Sequence, residues 1–179
     1  MVASPKKYFL PLFALLTLGA GCVFTPSSVA ITNFNQCVQA GNAVMESYPR
    51  QCAAGGKTFV ENIGNELEKT DLIRIDSPRP NEVIGSPVTI TGEARGTWYF
   101  EASFPVEIVD ANGGVIAQGI AMAQSDWMTE EFVPFSATLT FTADPDAYTT
   151  DATLILHKDN PSGLPEYDDA LKVPVVLSL

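Results

Sequence analysis

Between Gly92 and Val109 the side chains alternate in character: Trp98, Phe100, Ala102, Phe104, Val106 and Ile108 fall on even positions, with Tyr99, Glu101, Ser103 and Glu107 between them. A period of two marks a strand with one apolar face, so the stretch is predicted as one long strand with Trp98 inward and Tyr99, Glu101 and Glu107 outward. Burying such side chains is worth about 1.5–3 kcal/mol each, and a second sheet must cover them. The rest of the chain from Leu72 supplies it. Ile73 with Ile75, Val88 with Ile90, Val115 to Met122, Val133 to Phe141, Thr153 to Lys158 and Val173 to Leu177 read as six further strands, with Asn112, Gly113 and Gly114 as the clearest hairpin turn. Seven short strands at this spacing predict an all-β sandwich over residues 72–179. Pro105, Pro134 and Pro174 fall inside these runs, so each must sit at an edge, a bulge or a strand start.

Upstream the pattern changes. Asn33 followed by Gln36 predicts a helix start, and Gly41 its end in the left-handed conformation. Met45 to Gln51 and Thr58 to Val60, around Gly55 and Gly56, predict a short hairpin. This helix/hairpin module, residues 33–60, is too small to build its own core. Residues 61–71, ENIGNELEKTD, hold four carboxylates and one lysine with little apolar periodicity and read as a solvated linker.

Charge narrows the class of partner. Acidic residues outnumber basic ones 21 to 10, a formal net charge of −11, which opposes phosphate binding and excludes nucleic acid. At the N-terminus, Lys6 and Lys7 precede the apolar run Tyr8 to Leu18, a signal-peptide pattern too short to span a membrane. Leu18, Gly19, Ala20 and Gly21 then lead into Cys22. This resembles the lipobox of bacterial lipoproteins, which implies a signal peptide over residues 1–21, lipid on Cys22 and a tether over residues 22–32. Leu18 stands four residues before the cysteine where that family usually has it three before, so ordinary cleavage nearby is the alternative. Removing residues 1–21 changes the charge to 8 − 21 = −13. Cysteine parity agrees with the lipobox: lipidating Cys22 leaves Cys37 and Cys52, and two thiols in an exported segment are expected to bridge. A zinc site would need ligands that no nearby histidine supplies.

The span from Leu72 to Leu179 resembles the Gmad-type immunoglobulin-like domain named for bacterial spore germination. The likeness is carried by Ser77 and Pro78, Pro87, Gly92, Ala94, the Gly96 to Phe104 aromatic strand, Asp110 with Gly113, Trp127, Phe135, and Lys158 to Pro161. It implies a seven-stranded immunoglobulin-like sandwich with an extracytoplasmic binding or scaffolding role, without catalytic residues.

Candidate chemistry is sparse. His157 is the one histidine and has no nucleophile motif beside it. Glu130 and Glu131 are adjacent and would point to opposite faces of a strand, a poor glycosidase pair. Asp144, Asp146 and Asp151 in one connection, and Asp159, Asn160, Glu166, Asp168 and Asp169 further on, offer oxygen donors for calcium, but their spacing matches no calcium loop. The expectation is therefore a non-catalytic envelope module without cofactor or metal, meeting membrane lipid through its anchor and an envelope protein or glycan through its surface. An envelope hydrolase and a structural spacer are the alternatives. The expected surface is Tyr99, Glu101 and Glu107, and its partner basic or bridged by a divalent ion.

Overall fold

The computed structural model describes Met1, residues 30–145 and residues 149–179, and Ile31–Leu179 form one compact unit. Cys22, the rest of the expected signal peptide and most of the tether lie outside the described residues, as does Asp146.

The N-terminal module follows its capping signals. Helix α1 (Phe34–Gln39) is capped by Asn33, whose side chain accepts the Gln36 N–H at 2.8 Å. Gly41 ends it at φ 77°. The strand expected from Met45 to Gln51 is instead a connection between two strands, so that a three-stranded sheet forms in place of the hairpin, built from β1 (Val44–Met45), β2 (Gln51–Ala54) and β3 (Lys57–Val60) in that order. Gly55 and Gly56 turn between β2 and β3 with φ of 57° and 75°, values that ordinary side chains resist. Cys37 on α1 and Cys52 on β2 are bridged across 15 residues and, with Phe34, make the small buried core. Closing a loop of that length stabilises by about 3 kcal/mol.

The expected solvated linker is instead packed against its neighbours. Ile63, Glu61 and Glu66 are buried, and α2 (Glu66–Lys69) lies within it. The physical reason is pairing. Glu61 accepts from Arg50 Nε at 2.8 Å and from Asn81, and Glu66 meets Arg79 at 2.9 Å and the Tyr48 hydroxyl. Charges read as solvated are satisfied by arginines from the module on one side and the sandwich on the other.

The main sheet contains β4 (Ile73–Ser77), β5 (Val83–Ile84), β6 (Val88–Arg95), β7 (Ser103–Asp110), β8 (Val115–Ala123), β9 (Phe132–Leu139), β10 (Asp151–His157) and β11 (Ala170–Leu177). The hydrogen-bonded order is β4-β6-β9-β8-β7-β10-β11-β5. All pairs are antiparallel except β11 with β5. Only Met122 opposite Ser136 and Ala123 opposite Phe135 join β8 to β9, so the ladder divides there into a three-stranded and a five-stranded layer. Alternate residues of both layers, among them Ile75, Ile90, Phe104, Ile108, Phe135, Leu154 and Val173, fill one core. This is the immunoglobulin-like sandwich expected, with the two-residue β5 added to the seven strands.

The single strand expected from Gly92 to Val109 is two strands belonging to different layers. Gly96–Trp98 form a 3-10 turn, and Phe100 to Ser103 close a tight turn before β7 begins. Gly96 must be glycine here, because a Cβ would sit 1.9 Å from the Thr129 carbonyl oxygen and 2.3 Å from that of Trp127. The three prolines lie where ladders stop. Pro105 is one residue beyond the pairing of β7 with β10, Pro134 one beyond that of β9 with β8, and Pro174 on the stretch of β11 that β5 does not reach.

The outer strands are sealed by side chains. Asn65 accepts the Lys172 N–H at 2.7 Å through its side chain, donates its backbone N–H to the Lys172 carbonyl, and donates its amide to Ala170 O. On β4, Arg79 donates to the Ile75 carbonyl.

Candidate functional site

Strand directions sort the connections into two ends. Residues 96–102, 124–131 and 158–169 share one end, which we call the loop end. The 111–114 hairpin, residues 140–145 and residues 149–150 share the other. Hydrogen bonds tie the three loop-end connections together: Gly96 N–H to Glu131 O at 3.2 Å, Asp159 N–H to Trp98 O at 3.0 Å and Ala123 N–H to Ala102 O at 2.8 Å. The two acidic connections considered for calcium therefore lie at opposite ends, and among the described residues no three carboxylate, His or Cys side chains group as a metal site.

Tyr99 does not belong to an outer surface. It is 4% exposed, its hydroxyl donates to the Val133 carbonyl at 2.7 Å, and its ring packs on Phe104 at 5.2 Å between centroids. Burial pushes its hydroxyl above the ordinary tyrosine range. The reason is the 3-10 turn, which resets the alternation so that Trp98 and Tyr99 both enter the core and Phe100, expected inside, is exposed. Glu101 is exposed at the tip of the following turn. That turn is unusual. Glu101 and Ala102 hold φ of 49° and 61°, while Phe100 and Ser103 exchange backbone hydrogen bonds at 3.0 and 3.1 Å. Two positive φ values in a two-residue turn ordinarily call for Asn-Gly, and here neither residue is glycine.

Glu107 faces outward from β7, half-buried, and its Oε1 is 2.9 Å from Nε2 of His157 on β10. His157 of this pair borders an open groove of about 730 Å³ lined by Pro105, Lys69, Lys158, Asp159, Asp169 and Lys172 among others. Lys69 pairs with Asp169 at 2.6 Å. Burial, followed by the nearby charge of Glu101, holds the Asp159 carboxyl above its ordinary range. A His–Glu pair can orient an imidazole or shuttle a proton, but none of the residues described along this groove is a Ser, Thr or Cys that it could activate. Phe132 is held between two guanidinium groups, Arg74 at 4.0 Å and Arg95 at 4.1 Å. Trp127 is partly buried against the core.

Charge concentrates at the loop end. Its three connections carry Glu101, then Asp126, Glu130 and Glu131, then Asp159, Glu166, Asp168 and Asp169, against Lys158 as their one lysine, a formal −7 of the chain's −11. Lys69 and Arg95 approach two of these carboxylates from outside. Sequence reading missed this because it treated the connections separately; the topology brings them together. The exposed aromatics Phe100 and Tyr167 belong to the same end, whereas Tyr48 belongs to the module.

The family model described as Gmad2, immunoglobulin-like domain of bacterial spore germination, matches residues 72–162. No curated protein and no solved structure matches the chain.

Proposed function

Because the chain belongs to the family of immunoglobulin-like domains of bacterial spore germination, we propose that it is a non-catalytic binding module of the bacterial cell envelope, held at the membrane by lipid on Cys22. Family membership carries the binding reading. The Cys37–Cys52 bridge supports placement outside the cytoplasm, since such bridges persist in oxidising compartments. Small residues leading into Cys22 support the anchor, and two acyl chains at about 0.8 kcal/mol per buried methylene suffice for stable attachment. The partner is an envelope protein or glycan, met through the exposed connections of a rigid sandwich.

Mass spectrometry of the N-terminus of protein made in its native host tests the anchor. A diacylglyceryl adduct on Cys22 is expected, and an unmodified terminus elsewhere would remove that half of the proposal. Chemical cross-linking of the full chain in detergent-solubilised envelope tests the binding role, with specific cross-linked species expected. The His157–Glu107 pair at 2.9 Å is the one observation favouring an envelope hydrolase. Loss of a measurable hydrolysis of envelope material on His157→Gln would favour that reading over the module.

A further inference from the structure

We propose that the loop end is a docking surface for a cationic segment of a partner protein that also presents apolar side chains; the inference deepens the binding-module reading and rests on it. Two independent features coincide there. The first is charge. Eight carboxylates against one lysine in three short connections, with Lys69 and Arg95 approaching two of them from outside, leave an acidic field, whereas residues 111–114, 140–145 and 149–150 at the opposite end hold one carboxylate, Asp144. Such a field raises the encounter rate of a cationic partner and repels an acidic one.

The second is exposed apolar surface within that field. Phe100, Met122, Met128, Leu164 and Tyr167 are between 43% and 76% exposed. Large apolar side chains ringed by charge are how association sites gain affinity, with the charge setting partner choice. A purely hydrophilic polycation would leave them wet. The turn of Glu101 and Ala102 points the same way. Non-glycine residues at positive φ cost stability that Asn-Gly would not, and what this turn displays is a carboxylate next to an exposed Phe100. The chain enters its folded unit away from this end: Asn35 of α1 borders a cavity with Ala111 and Asp151, beside the hairpin.

Binding of labelled peptides to the full chain in detergent, followed by fluorescence anisotropy, tests the proposal. An amphipathic Lys/Leu peptide should bind, with affinity falling at least tenfold between low and high salt. Oligolysine of equal charge should bind at least tenfold more weakly, and a Glu/Leu peptide should not compete. The double variant Glu101→Lys with Asp126→Lys should weaken Lys/Leu binding at least fivefold, as should Phe100→Ser with Met128→Ser. Val83→Ser and Val115→Ser, far from the loop end, should leave it unchanged. Equal binding by all variants, or none by the unaltered chain, overturns the surface.

Cross-linking in solubilised envelope separates this failure from failure of the module reading. If a cross-linked species forms equally with the unaltered chain and the loop-end variants, the surface is wrong and the module stands. If the unaltered chain forms none, the module reading fails as well.

Discussion

Trp98 and Tyr99 show how far alternation can be trusted. Even positions from Phe104 to Ile108 do face the core, as a period of two requires. The same parity fails two turns earlier because a 3-10 turn and a two-residue turn intervene, and neither leaves an apolar signature in sequence. With both side chains buried, Trp98→Ala and Tyr99→Ala should each lower stability by about 3–5 kcal/mol, measured by urea unfolding; a Tyr99→Ala protein as stable as the parent would restore the outward assignment. Gly92 is constrained from outside its own strand. A Cβ there would lie 2.2 Å from the Arg74 carbonyl and 2.7 Å from the Phe135 ring, so Gly92→Ala is expected to cost at least about 1–3 kcal/mol through overpacking. The opposite sign is expected at Ala102. With φ at 61°, Ala102→Gly relieves about 1 kcal/mol of backbone strain, which should appear as a higher unfolding midpoint.

The helix and the glycine turn of the N-terminal module were legible because their signals are local, whereas the strand read from Met45 to Gln51 is a connection between β1 and β2. Asn33, Gly41 and the paired glycines act within a few residues, and cysteine parity needs no geometry. The segment around α2 was not legible, since its buried carboxylates are paired by residues distant in sequence, among them Arg50 and Arg79, 11 and 13 residues from their partners Glu61 and Glu66. That pairing predicts a pH response. The Arg50 guanidinium holds the Glu61 carboxyl below its ordinary range, so the stabilisation is present above the unfolded pKa and is lost as pH falls through the folded one. Glu61→Gln should flatten the acid limb of a stability-versus-pH curve. Tyr48 behaves in the opposite sense. Its hydroxyl is pushed up to about 12 by burial and then by its hydrogen bond to Glu66, so its share of stability is complete below about pH 10 and declines toward 12. Phenolate absorbance should show two late-titrating tyrosines, of which Tyr48→Phe removes one and leaves buried Tyr99.

At the scale of the whole molecule, seven strands and a sandwich could be read from turn spacing, but not which connections share an end. That is a property of strand direction summed over the chain, and it separates a diffuse acidic composition from a concentrated field. The sealed outer strands have a further consequence. Under the proposed lipid anchor, molecules sharing one membrane would meet each other far more often than the same number in solution, and an open strand edge would then seed filaments. Through its side chain Asn65 occupies the Lys172 N–H and the Ala170 carbonyl, two groups that a neighbour would need. Asn65→Ala should therefore leave a monomer in dilute detergent yet form cross-linkable chains when crowded on lipid vesicles, so that, with the proposed anchor, one amide side chain would govern whether a membrane layer of such molecules stays fluid.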